Sequence, residues 1–194
     1  MRRLKYWRRH KLKLALFAVF VVAVVITQSG WLSDSVRNAQ QNQPGLYSVD
    51  HFIDGDTVAV NMNGYVETVR MIGVDTPETH KPNTPVQCYG PEAASYTKSL
   101  IGASRLRLQA DNLDTNRDRY GRLLRYVYLP DGTLVESKLL DGGYAFAYLQ
   151  FPFEKKQQFA AEEAAAKGSK VGLWASCNVT VEDGGREQTN PVSN

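Results

Sequence analysis

Between Tyr47 and Val74 three strand-like runs are joined by turns so short that the runs must fold back on one another. They are Tyr47–Ile53, Thr57–Asn61 and Val66–Val74, rich in the β-branched and aromatic residues that suit a pleated, half-buried surface. Asn63-Gly64 predicts a tight hairpin turn between the second and third. Arg105–Ala110 and Leu123–Leu129 read as two further strands, and Asp131-Gly132 turns the chain after the last. Helices are expected at Pro91–Leu100, at Leu134–Leu140 and at Phe153–Lys167. The first has Pro91 at its start and Gly102 past its end, Gly142-Gly143 stop the second, and Pro152 and Gly168 bracket the third. Val171-Gly172-Leu173-Trp174 is expected to dock back on the core.

Three closely spaced strands, a helix, two strands and then helices predict an α+β fold. A five-stranded, partly open β-barrel of the oligonucleotide-binding type, with about three helices at one end, fits that order. Where strands meet turns, acids gather: Asp54-Gly55-Asp56-Thr57 after the first run and Asp75-Thr76-Pro77-Glu78 after the third. Crowded carboxylates repel one another and lose solvation, so folds rarely collect them without a cation. Such hard oxygen ligands suit Ca²⁺ or Mg²⁺ and not zinc. The plainer reading of either cluster alone is an Asp-rich turn. Gly55 is expected to let two carboxylates flank a tight bend by adopting angles closed to other residues. Pro77 pushes Thr76 toward an extended conformation that can aim its carbonyl outward. Glu78 lies near enough to serve as a general base toward a water.

Charge is unevenly spread. Of 23 basic and 20 acidic residues, seven basic and no acidic ones fall within residues 1–13, leaving 16 against 20, a net of −4, for the rest. Any polyanion bound by the folded part must therefore meet a local basic patch and not a global field. Residues 14–33 then carry no charge, and at ~1.5 Å per residue they span the ~30 Å of a bilayer's hydrocarbon. With the basic segment 1–13 kept cytoplasmic and Trp31 at the interface, 14–33 reads as a transmembrane signal anchor. The competing reading is a cleaved signal peptide, giving a secreted protein. Either places the chain beyond residue 33 outside the cytoplasm. Residues 34–45 read as a flexible linker, 46–177 as one domain, and the polar tail 178–194 as disordered. Cys88 and Cys177, the two cysteines, are expected to form a disulfide in an oxidising compartment, two separate buried thiols being the alternative. Nothing in the chain demands more than a monomer.

Arg70 interrupts an otherwise apolar strand, which calls for an acidic partner or an anionic ligand, unless it simply faces solvent. The segment from Asp114 has the outline of a calcium loop but carries Arg119 where the sixth position needs Gly and Arg125 where the twelfth needs Glu. It reads instead as a solvated turn, with Arg122 entering the next strand.

Asp54-Gly55-Asp56-Thr57, Arg70 with Val74-Asp75-Thr76-Pro77-Glu78, Tyr89-Gly90-Pro91-Glu92-Ala93, Asp118-Arg119-Tyr120-Gly121-Arg122 and the closing Gly172-Leu173-Trp174 resemble the staphylococcal nuclease family, in the family's order and over roughly Leu46 to Trp174. The resemblance implies an oligonucleotide-binding-type barrel that hydrolyses phosphodiesters of DNA and RNA with Ca²⁺. It implies that Asp56, Asp75 and the carbonyl of Thr76 ligate calcium, with Asp54 behind them. Glu78 would be the general base, Arg70 and Arg122 the phosphate clamps, and Tyr120 a neighbour of the nucleotide's phosphate. The family's tyrosine pair against the base is only half matched: Tyr148 fits the first, and Gln150 or Phe151 falls at the second. Since base stacking contributes ~1–3 kcal/mol per base, this departure bears on nucleotide affinity and not on the chemistry. A non-catalytic, membrane-tethered nucleic-acid-binding barrel is the rival expectation. A purely structural calcium protein would leave both arginines unexplained.

Overall fold

The structure, a computed structural model, describes residues 45–80, 84–182 and 184–192. The segments expected at 1–13 and 14–33 lie outside the described residues, as does all but the last residue of the linker 34–45. Among the described residues no helix is long and apolar enough to cross a membrane. The chain runs β1 (Leu46–Asp54), β2 (Thr57–Met62), β3 (Tyr65–Met71), β4 (Val74–Asp75), α1 (Gly90–Ile101), β5 (Arg105–Gln109), β6 (Leu123–Tyr128), α2 (Val135–Asp141), β7 (Phe146–Ala147), α3 (Lys156–Gly168), α4 (Leu173–Ser176), β8 (Val179–Val181) and β9 (Glu187–Thr189).

Five of these strands form a barrel in the order β1-β2-β3-β6-β5, and β5 returns to β1. The barrel is closed, not partly open as the element order suggested. Closure comes from two long-range pairings that no local pattern announces: β5 antiparallel to β1, and β3 parallel to β6 with Arg70 opposite Leu124. Alternating residues of the strands fill the inside, among them Val58, Val60, Val69, Met71, Leu106 and Leu108, all buried. Leu139 and Leu140 of α2 and Phe159 of α3 extend the same apolar core. Asn63 and Gly64 take φ of 56° and 96° in the β2–β3 turn, both left-handed, as a two-residue hairpin requires.

Two expectations need correction. The run Val66–Val74 is not one strand, because it breaks at Ile72-Gly73. Ile72 N–H donates to the Arg125 carbonyl at 3.1 Å, still in the barrel, while Gly73 turns left-handed with φ 72°. A Cβ on Gly73 would lie 2.6 Å from Phe153 Cζ, so both angle and space demand glycine there. Beyond it β4 pairs with β7, Asp75 opposite Phe146, which carries Asp75 off the barrel wall.

Among the described residues of the tail, which its polar composition suggested would be disordered, β8 and β9 form a hairpin with Val179 opposite Thr189. It holds because its polar groups find partners outside itself. A disulfide joins Cys88 to Cys177, just before β8. Cys88 N–H donates to the Asn190 carbonyl at 2.8 Å, and Val192 N–H to the Val86 carbonyl at 2.9 Å.

Candidate active site

The β1–β2 turn sets the first carboxylates. Asp54 pairs with Thr57 across the turn, so Gly55 and Asp56 form its tip. Asp56 is buried, and burial of a carboxylate requires donors. Its Oδ1 accepts from Thr57 Oγ1 at 2.8 Å; its Oδ2 accepts from Thr76 N–H at 2.8 Å and Thr76 Oγ1 at 3.1 Å. Gly55 is needed for a different reason than its freedom of angle, since its φ is not left-handed. A Cβ there would come within 2.8 Å of Thr76 Cγ2 and Oγ1, forcing apart the two loops that carry Asp56 and Thr76. Asp54 stands behind them, its Oδ1 accepting from Gly55 N–H and from Thr79 Oγ1, both at 2.9 Å.

Arg70 lies opposite Thr57 on β3 and joins the two acidic turns. Its Nη2 donates to Asp75 Oδ1 at 2.7 Å, and its Nη1 pairs with Asp56. Burial pushes the guanidinium below its ordinary pKa, Asp75 opposes that, and the like charge of Arg122 adds to it. Arg122 therefore acts on the same field. It projects from the loop before β6, where its Nε donates to Asp118 Oδ2 at 2.6 Å. Burial raises the Asp118 carboxyl, but hydrogen bonds from Arg122 and Tyr120 outweigh it and hold the group below the usual range. The loop is not merely a solvated turn. Buried Arg125 grips Asn116, donating to its carbonyl and to its Oδ1 at 2.7 Å, and Arg117 forms a two-pronged pair with Glu67 at 2.9 and 3.0 Å. Tyr120 is 68% exposed and edged by cations: its ring centroid lies 4.8 Å from Arg119 Cζ and 5.4 Å from Arg122 Cζ.

Glu78 is fixed through its backbone, its N–H donating to Gln87 Oε1 at 2.8 Å and its carbonyl accepting from Gln87 N–H at 2.9 Å. Tyr148 is anchored to Gly73 by its N–H and lines a cavity of about 360 Å³ that also touches Asp75, Gln150 and Glu163. Its ring meets Phe151, 5.8 Å between centroids, and Phe151 is exposed. Its neighbours belong to the interior: Tyr144 stacks on Tyr96 at 4.0 Å, and buried Phe146 packs edge-to-face with Trp174.

Sequence reasoning missed one member of the site. Arg186, from the tail hairpin, donates through Nε to Asp75 Oδ2 at 2.8 Å and brings Nη2 to 3.6 Å from Glu78 Oε1. The only signal for it was indirect: the cysteine pair that ties the tail's start to residue 88. As for a metal, no group of three or more His, Cys, Asp or Glu side chains is arranged around one point among the described residues. What is present is two buried carboxylates, Asp56 and Asp75, sharing one guanidinium, so a cation already bridges them. That donor set fits a hard ion completing its coordination with carbonyl oxygen and water.

A closed five-stranded barrel with paired acids and arginines beside it has the architecture of the oligonucleotide-binding class. The sequence comparison narrows this: residues 68–176 match the family described as "Staphylococcal nuclease homologue", and the chain belongs to that family. It is 38% identical over 167 residues to the thermonuclease of Staphylococcus hyicus, covering 81% of this chain and 95% of that protein. To endonuclease YncB of Bacillus subtilis (strain 168) it is 44% identical over 148 residues, 74% of this chain and 69% of that one. To the SPbeta prophage-derived endonuclease YokF of the same organism it is 45% identical over 139 residues, 71% of this chain and 46% of that longer protein. Membership places the chain among the nuclease hydrolases.

Proposed function

We propose that the chain is a calcium-dependent nuclease that cleaves phosphodiester bonds of DNA and RNA at the site around Asp75. The observation that carries this reading is the single guanidinium of Arg70 joined to both Asp56 and Asp75, with Glu78 beside them and Arg122 in the same field. Asp56, Asp75 and the carbonyl of Thr76 would hold the ion, and Asp54 would keep the turn in place. When bound, calcium neutralises the carboxylates and polarises a phosphoryl oxygen. Arg70 and Arg122 bind the other phosphoryl oxygens, for which the planar two-pronged guanidinium is suited, and stabilise the charge that grows there. Glu78 takes a proton from the attacking water as its oxygen bonds to phosphorus and the bond to the leaving oxygen breaks on the opposite side. The leaving oxygen is protonated from solvent. Exposed Tyr120, edged by Arg119 and Arg122, would meet the backbone of the bound strand, and Tyr148 with Phe151 would form the surface against the base.

The test is cleavage of single-stranded DNA by the full-length chain, with calcium and after chelation. Cleavage that chelation abolishes and calcium restores is expected. Cleavage indifferent to chelation contradicts the calcium assignment, and no cleavage with any divalent ion favours a non-catalytic binder.

We further propose that residues 14–33 anchor the domain on the outer side of the membrane. The disulfide between Cys88 and Cys177 supports this, because such bonds persist in oxidising compartments. Carbonate washing of membranes should leave the protein in the pellet; its release would favour a cleaved leader.

A further inference from the structure

Asp75 divides its two oxygens between two arginines. Oδ1 accepts from Arg70 at 2.7 Å and Oδ2 from Arg186 at 2.8 Å. Arg70 is part of the barrel and its side chain is 13% exposed, whereas Arg186 hangs from the tail hairpin and is 30% exposed. The same guanidinium reaches toward Glu78, 3.6 Å away. One tail residue thus touches both the carboxylate assigned to the ion and the carboxylate assigned to the water.

The hairpin is clipped at both ends. The disulfide fixes its entry, and the bonds Cys88 N–H to Asn190 and Val192 N–H to Val86 fix its exit. Thr189 Oγ1 adds a bond to the Cys88 carbonyl at 2.8 Å, and Lys167 holds Glu187 at 2.9 Å. The strip Val86–Cys88 that receives the hairpin also holds Glu78, through Gln87. On its far side the hairpin lines a cavity of about 360 Å³, which Gly185, Arg186 and Glu187 share with Tyr148 and Gln150. Gln150 Nε2 donates across to the Gly184 carbonyl at 2.9 Å.

We infer that Arg186 is a tethered cation that competes with the divalent ion for Asp75, making the C-terminal hairpin a built-in brake on metal loading. This rests on the reading of Asp75 as an ion ligand. A side chain attached to the site is present at high effective concentration, so the ion must displace it from Oδ2 before it can use that oxygen. The apparent affinity is then the intrinsic one reduced by the fraction of molecules in which Arg186 has let go. Displacement also takes the Arg186 guanidinium away from Glu78, 3.6 Å from it, so ion binding changes the charge beside the base. Arg70 differs in placement: its backbone is held in the barrel ladder between β2 and β6, and its side chain is the less exposed of the two.

The test is calorimetric titration of calcium into the full-length chain, with Arg186→Gln, Arg186→Lys and Asp75→Asn compared at equal ionic strength. Removing the charge in Arg186→Gln should tighten calcium binding about five- to tenfold. Arg186→Lys, which keeps a cation on the tether, should stay near the native affinity. Unchanged or weaker binding in Arg186→Gln, while Asp75→Asn loses binding, overturns the brake and leaves the metal site standing. Native affinity in Asp75→Asn overturns the metal site and the brake with it. Loss of turnover in Arg186→Gln at saturating calcium, with affinity unchanged, would make Arg186 a phosphate ligand and also overturn the brake.

Discussion

Arg70 and Arg186 hold opposite oxygens of one carboxylate, yet the barrel and the tail place them by different means. Arg70 is set by strand register, Thr57 on one side and Leu124 on the other, and packs within a closed ladder. Arg186 is set by a hairpin of two three-residue strands, a disulfide and a handful of hydrogen bonds at the surface. Local opening draws on regions with few buried apolar contacts and many exposed backbone bonds, so the tail opens at lower free energy than the barrel. Within one site, the barrel supplies what must not move and the tail supplies what can.

The sharpest way to break that contrast is at the barrel side. Glu78→Gln and Arg122→Lys should each lower single-turnover cleavage of single-stranded DNA by about 10²–10⁴-fold while leaving the melting temperature near native. Near-native turnover in either would remove that residue from the proposed chemistry. Next in size is the disulfide. Reducing Cys88–Cys177, which closes a loop with a sequence separation of 89, should cost about 2–4 kcal/mol in denaturant unfolding. Hydrogen exchange should then quicken at Asn190 and Val192 and stay slow at Met71 and Ile72. Equal loss of protection in both sets would mean that barrel and tail open as one.

Gly55→Ala puts a methyl against Thr76 and should destabilise the barrel end by about 1–3 kcal/mol, read from the denaturation midpoint. A cost under about 0.5 kcal/mol would show that the two acidic turns have room to separate. The smallest effect concerns Asp111, which accepts from the Tyr126 hydroxyl and from the N–H groups of Leu113, Asp114 and Glu154. Burial raises its carboxyl, but these donors outweigh burial and hold it below the ordinary value. The unfolded chain therefore binds the proton more readily, and stability rises with pH in that window. The contribution is complete above the unfolded value of about 4 and is lost as pH falls through the folded one. Asp111→Asn should flatten the acid side of the stability profile; an unchanged slope would assign it to other acids.

Much of the barrel was legible because its signals are local. Period-two apolar runs, Asn63-Gly64 and the proline and glycine brackets mark the strands and three helices, and Arg70 stood out as a charge in an apolar run. Asp56 and Asp75 were visible as acids at strand ends. What stayed hidden depends on residues distant in sequence. The break at Gly73 is forced by Phe153, the buried role of Arg125 by Asn116, and that of Asp111 by Tyr126 and Glu154. The tail misled for the same reason. Its composition is polar because its partners are backbone groups at Val86–Cys88 and carboxylates at Asp75 and Glu78, none of which leaves an apolar pattern.

The most direct test of the central claim is the rate of single-stranded DNA cleavage against calcium concentration for the native chain and for Asp75→Asn. The native rate is expected to saturate with calcium and the Asp75→Asn rate to stay at background throughout. A native-like calcium curve in Asp75→Asn would contradict the claim.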